Sequence, residues 1–377
     1  MAVEDEVLEE LEIPGVEEEI DDAPEDTAKI FEPFDPAEIR VSSKQLSLDT
    51  LLSRIENEEI ILQPDFQRHE VWKDDARSRL IESILIRIPL PAFYVDATDE
   101  DKWLVVDGQQ RLSSLQRFVI DESLPLKGLE FLKTFTGFRF SDLPRQFQRR
   151  IKETNVTVYQ IEKGTPSAVK INIFKRINTG GLPLSAQEIR HALNGAPVTE
   201  MLKELAESSE FLTATRHKIP QTRMSDREYV TRFFAFLLTS PSQYVAIEFD
   251  SFLNDTMKSI NKMSHDERSA LKHKFKRSMS LSSAILGKQA FRKLYAIDDR
   301  LKPINKALFE AWSVNFAAIS DDEALALVTR REALLQGFVK LMNTRDFEQS
   351  ITQGTGDTAK VKLRFSAIAE LISETLL

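Results

Sequence analysis

Two hydrophobic periods divide this chain. Between Val41 and about Ala196, short apolar runs alternate with amphipathic stretches, and beyond Ala196 only the helical period persists. In the first region Ser47 stands as a cap ahead of Leu51, Leu52 and Ile55, and the run Ile60-Ile61-Leu62 reads as a strand closed by Pro64. Asp74 or Asp75 caps a helix carrying Leu80, Ile81, Ile84 and Leu85, which Pro89 and Pro91 end. Phe93-Tyr94-Val95 and Lys102 to Val106 read as strands, and the second leads directly into a helix with Leu112, Leu115, Phe118 and Val119 inward. Asn155 to Ile161 is a further strand, and Thr165-Pro166 opens a helix running to Ile177.

In the second region Ser225 with Glu228, and Ser320 with Glu323, have capping-box spacing. After Ser320, Leu327, Leu334, Phe338 and Leu341 share one helical face. The expected class is α+β: a mixed α/β domain over residues 41–196, then an all-helical domain over residues 197–377. At 42% apolar residues, the 377-residue chain has ample material for both cores.

Charge adds a third segment. Residues 1–40 hold 16 Asp/Glu against Lys29 and Arg40, a net −14, whereas the remaining residues hold 48 Lys/Arg and 44 Asp/Glu, a net +4. Such a tail buries too little apolar surface to offset its ordering entropy, so residues 1–40 are expected to be disordered. It serves either as a solubiliser or as an acidic mimic covering a basic surface. Cysteine is absent, which excludes disulfides, thiolate zinc sites and cysteine nucleophiles. The longest apolar run, near Phe233, is too short to span a bilayer, and the N-terminus opens with acids. A cytoplasmic protein with no membrane partner is expected.

The strongest local signal is the strand–Asp107-Gly108-Gln109-Gln110-Arg111–helix junction. Gly108 permits a tight turn, and Arg111 sits in the first helical turn, where a cation opposes the helix dipole unless an anion is near. A phosphate is one such anion. Asp107 is then a candidate to hold a metal or activate water, with Gln109 and Gln110 as donors to phosphate or a base. The alternative is a polar turn in which Asp107 caps the helix. Gln67 and Arg68, following the strand at Ile60, form a second amide–guanidinium pair that would converge with Arg111 if the two strands are neighbours. Lys175, Arg176 and Asn178 have no structural assignment and are candidates for nucleotide contact. Glu188 has one, since Ser185 and Glu188 form a capping box.

Residues 258–302 hold 12 Lys/Arg and four acids, with Phe275, Phe291 and Tyr295 interleaved. Lys272, Lys274, Lys276 and Arg277 are candidates for nucleic-acid backbone contact, with a solvated helical face as the alternative. The five histidines form no metal spacing, so no protein metal site is expected.

Taken in order, Pro64 to Arg68, Ile84 to Pro91, Val106 to Leu112 and Phe174 to Arg190 resemble the domain family at the N-terminus of GmrSD type IV restriction enzymes. The resemblance covers about residues 45–195. It implies a ParB/sulfiredoxin-like fold, NTP hydrolysis with Mg²⁺ as a possible companion, and action on modified or invading DNA. It further implies that Asp107, Gln109, Gln110 and Arg111 are functional. The restriction enzymes often carry a His-Asn-His nuclease in a second portion, and no such pattern is present here. Three readings follow: an NTP-hydrolysing, DNA-directed component with a partner nuclease supplied in trans, a metal-assisted nuclease using the same Asp107, or a binding module. An oligomer is compatible with each.

Overall fold

The computed structural model describes residues 15–17, 40–62, 72–166, 169–170, 173–174, 177, 185–245 and 249–377. Gln67, Arg68, Lys175, Arg176 and Asn178 lie outside the described residues, as does the acidic tail apart from Gly15–Glu17 and Arg40. The chain forms two compact units that meet in sequence at Leu193 and Asn194. The class is α+β, as the two periods predict.

The first unit is built on one mixed sheet: β1 (Val41–Ser47), β2 (Ile60–Ile61), β3 (Phe93–Asp96), β4 (Trp103–Asp107) and β5 (Asn155–Ile161), in the order β1-β5-β3-β4-β2. β1 lies antiparallel to β5, β3 parallel to β5 and antiparallel to β4, and β2 parallel to β4 through Ile60↔Trp103. Around it stand α1 (Leu48–Glu56), α2 (Asp74–Leu85), α3 (Gln109–Leu115), α4 (Arg145–Glu153) and α5 (Ala186–Asn194). Successive strand residues point to opposite faces. Trp103 and Val105 therefore pack with Leu51, Leu52, Ile81, Ile84 and Leu115 in one core, while Val106 and Ile161 join Phe174 and Ile189 in another. Each fully buried leucine or isoleucine here contributes about 1.5–3 kcal/mol.

Several local expectations hold. Ser47 accepts from the Thr50 amide at 3.2 Å and so caps α1. Ser185 and Glu188 form the predicted reciprocal pair, at 3.1 and 2.6 Å. Others are corrected. α2 is capped at Lys73 without a side-chain bond, and Asp74 and Asp75 instead occupy its first turn, where they favour the dipole. β1 carries no apolar alternation in its sequence and is held by seven backbone pairs with β5.

One buried carboxylate organises the loop that leads to α4. Glu82 of α2 accepts from the backbone amides of Glu130, Phe131 and Leu132 at 3.0, 2.7 and 2.7 Å. Burial alone would raise its pKa, but the three amide bonds overcome that and hold it below the ordinary glutamate value.

The second unit is helical. Among the described residues ten helices follow: α6 (Val198–Ala206), α7 (Ser209–Thr215), α8 (Ser225–Leu238), α9 (Phe249–Lys262), α10 (His265–Leu286), α11 (Lys306–Ala318), α12 (Asp321–Thr329), α13 (Arg331–Met342), α14 (Arg345–Ser350) and α15 (Thr358–Leu376). Phe211, Phe233, Phe275, Phe309 and Trp312 fill its core. The capping box at Ser320 and Glu323 forms, but the one expected at Ser225 and Glu228 does not. Met224 takes the cap position, and Glu228 is drawn instead to Arg232 at 2.8 Å and Lys306 at 3.3 Å. The single face predicted after Ser320 is divided between α12 and α13 at Arg330.

A buried charge cluster crosses this core. Glu310 of α11 is fully buried and joins Arg232 at 2.8 Å and Arg364 at 2.7 Å. Gly15–Glu17 of the acidic tail is ordered against the same unit. Ile304 donates to Gly15 and accepts from Glu17, at 2.9 and 2.8 Å, making a short parallel bridge with Val16. The Glu17 carboxylate receives Lys293 at 2.7 Å and Asn305 at 2.9 Å. Among the described residues, no helix is long and apolar enough to cross a membrane.

Candidate functional site

The junction predicted from sequence is a turn that only glycine can make. Gly108 caps α3 with φ 101°, a left-handed conformation, and a methyl group there would overlap the ring of buried Phe93. No side chain caps the helix. The turn therefore delivers Asp107 from the end of β4 and Gln109, Gln110 and Arg111 from the start of α3 into one small volume.

Arg111 is built into that volume. Its guanidinium pairs with Asp107 at 2.7 Å, donates to the carbonyls of Pro91 and Ala92, and lies 4.6 Å from the centre of the Phe93 ring. Burial pulls its pKa below the ordinary value, and Asp107 opposes that shift. The anion that a first-turn arginine requires is thus supplied inside the chain by Asp107. The Arg111 guanidinium is engaged by Asp107 and by the Pro91 and Ala92 carbonyls. Asp107 does not cap α3 either. It spends one oxygen on Arg111 and stays 35% exposed.

The glutamines are in a different condition. The amide oxygens of Gln109 and Gln110 are buried and accept no hydrogen bond among the described residues. Leaving such an acceptor unmet costs about 1–3 kcal/mol, so two side by side mark a place where a ligand or water completes the bonding. A side-chain amide can offer its oxygen or its NH₂, which suits a base edge or a phosphate oxygen.

β2 and β4 are parallel neighbours, so both end on the same side of the sheet. Gln67 and Arg68 lie outside the described residues. Among the described residues no group of three His, Cys, Asp or Glu is placed to hold a metal.

The basic stretch predicted on α10 is largely neutralised. Lys272 and Lys276 reach Glu204 at 2.5 and 3.8 Å, and Arg277 reaches Asp321 at 2.7 Å. Of the four candidates, Lys274 alone has no such partner among the described residues. The interleaved aromatics have a structural use. Phe275 and Phe291 are fully buried, and Phe275 packs on Phe211, Phe233 and Phe234. Counting bases in a window missed the acids that face them from other helices. It also passed over α4, a short helix whose exposed residues are almost all arginine, lysine or glutamine.

The chain finds no match among curated proteins or solved structures. A family profile does match. Residues 48–194 correspond to the N-terminal domain of the GmrSD restriction endonuclease. That segment contains the whole Asp107–Arg111 junction and most of the sheet around it, so the α/β unit of this chain is similar to the GmrSD restriction endonuclease N-terminal domain.

Proposed function

We propose that this chain is a restriction-type defence component directed at DNA, and that it hydrolyses a nucleoside triphosphate at the Asp107–Arg111 junction. The observation that carries this reading is the pair of unpartnered amide oxygens on Gln109 and Gln110, placed by a glycine-only turn inside the segment of the family match. Gln109 and Gln110 accept from N–H groups of the base through their amide oxygens and donate to phosphate oxygens through their NH₂ groups. Asp107 presents its remaining oxygen to the attacking water, which adds to the terminal phosphorus as the bond to the nucleoside diphosphate breaks. Arg111 is a positioning residue that fixes Asp107. Gln67, Arg68, Lys175, Arg176 and Asn178 complete the nucleotide site from the adjoining segments. Mg²⁺ would arrive with the nucleotide, since one carboxylate does not make a protein metal centre. The likeness to ParB rests on the family resemblance alone. A nuclease carried by a partner protein would supply strand scission.

The test is purified protein incubated with each NTP and Mg²⁺, with and without modified duplex DNA. Phosphate release without scission, abolished in Gln110→Ala at unchanged melting temperature, is the expected result. Scission without nucleotide would transfer the site to the nuclease reading, and DNA binding with no turnover would make the chain a binding module.

A further inference from the structure

The turn after α2 and the face of α4 enclose a cleft of about 450 Å³ lined by Arg87, Gln146, Arg149, Arg150, Glu153 and Thr154. It holds three guanidinium groups and one carboxylate. Arg87 is exposed and has φ 65°, the left-handed conformation that favours glycine. A glycine would close α2 at lower backbone cost, so an arginine at this position is explained by its side chain rather than by the turn. Arg150 is oriented by two contacts, donating to the Leu85 carbonyl at 2.5 Å and lying 4.9 Å from the centre of the Phe147 ring. Arg149 is 72% exposed and, among the described residues, meets only Glu153, at 3.6 Å, in a surface pair that is easily exchanged.

The surroundings are mostly basic. Residues 133–152 contain six Lys/Arg and the single acid Asp142, and of these bases Lys152 meets Asp49 of α1 at 3.3 Å. Phe147 and Ile151 turn α4 toward the core, which leaves its bases and glutamines outward. Nine residues at 1.5 Å each make α4 about 13 Å long, enough to follow several phosphates spaced about 3.4 Å apart along a strand axis. The guanidinium fork matches a phosphate bidentately, and Gln146 adds a neutral donor. The lining residues offer neither a stacking ring nor a patterned set of groups for a base edge, so the contact is to backbone and reads no sequence.

We infer that this cleft, and not the bases of α10, is where the chain grips the phosphodiester backbone of duplex DNA. The inference deepens the proposed DNA-directed function and rests on it. The experiment titrates a fluorescein-labelled mixed-sequence duplex with full-length protein at several salt concentrations, using Arg87→Gln/Arg149→Gln and, separately, Lys272→Gln/Lys276→Gln. The first variant should weaken binding at least tenfold at low salt. It should also flatten the slope of log K against log salt by nearly two, about 0.9 for each phosphate no longer neutralised. The second should leave that slope unchanged. Arg87→Gly adds an independent reading: it should weaken DNA binding while keeping or raising the melting temperature.

Unchanged affinity and slope in the folded Arg87→Gln/Arg149→Gln variant would overturn the inference, as would failure of the unmodified protein to bind duplex at low salt. DNA-independent NTP turnover is measured in parallel and should match the unmodified protein, since neither arginine belongs to the junction. Loss of DNA binding with turnover absent in every form would uphold the cleft and overturn the hydrolytic reading. Turnover present with DNA binding unaffected by the cleft would do the reverse.

Discussion

The basic stretch of α10 and the cleft beside α4 hold their cations in different states. On α10 three of the four candidate bases are paired, Lys272 and Lys276 with Glu204 and Arg277 with Asp321, and elsewhere in that unit the buried Glu310 holds Arg232 and Arg364. In the α/β unit Arg111 is similarly committed, but Arg87 and Arg149 face an open cleft with one exposed carboxylate among them. The helical stretch has the higher charge count in sequence, yet the cleft beside α4 presents the less compensated group of bases. What decides the field at a surface is how completely each base is paired, and pairing depends on helices distant in sequence.

The comparison can be broken most severely at Glu310. Glu310→Ala leaves two guanidinium groups buried without their shared carboxylate, and a loss of about 3–5 kcal/mol is expected. Urea unfolding followed through the near-ultraviolet signal around Trp312 measures it. A loss below about 1 kcal/mol, the range of a surface pair, would mean that the cluster does not hold the core together.

The next effect should fall on the junction. Gly108→Ala combines a left-handed backbone with overlap onto the Phe93 ring, itself packed in the core. It should cost about 2–4 kcal/mol and displace Asp107 from Arg111. A melting temperature equal to that of the unmodified protein would remove the claim that only glycine fits.

Glu82 sharpens the contrast from the acid side, because backbone amides rather than bases satisfy it. Glu82→Gln should cost about 1–3 kcal/mol. Since the folded-state pKa of Glu82 is depressed, its contribution is fully present above the ordinary value of 4.5 and fades as pH falls through the folded-state value. The variant should therefore show a flatter decline in melting temperature between pH 6 and pH 3. An identical acid limb would show that Glu82 is not the group titrating.

The smallest effect concerns the tail. Removing residues 1–40 takes away the Gly15 carbonyl that accepts from Ile304, together with the carboxylate between Lys293 and Asn305. One hydrogen bond of about 1 kcal/mol implies roughly fivefold faster exchange of the Ile304 amide. The same truncation should tighten DNA binding if the tail is an acidic mimic and leave it unchanged if the tail is a solubiliser. Unaltered exchange at Ile304 would mean that this contact does not persist in solution.

Much of this protein was legible from residues alone, and the reasons are local. Strand alternation at Trp103–Asp107 and Asn155–Ile161, the Ser47 cap, the Ser185–Glu188 and Ser320–Glu323 boxes, and the glycine at the strand–helix junction all act within a few residues. The sequence by itself therefore determined the α+β class, most of the strands and the position of the candidate site. Tertiary structure alone decided the state of each charged group. Asp107 lies four residues from Arg111, but their pairing depends on β3, whose approach supplies the carbonyls of Pro91 and Ala92. Glu204 and Lys272 are separated by 68 residues, Arg232 and Glu310 by 78. Glu228 left its expected cap for the same reason, since Arg232 and Lys306 offered a buried carboxylate more than a helix terminus could. Caps, turns and periods follow from short-range sterics and backbone bonding. The partner of a charge is fixed only when distant helices pack, because packing settles both which groups are near and how much water remains between them.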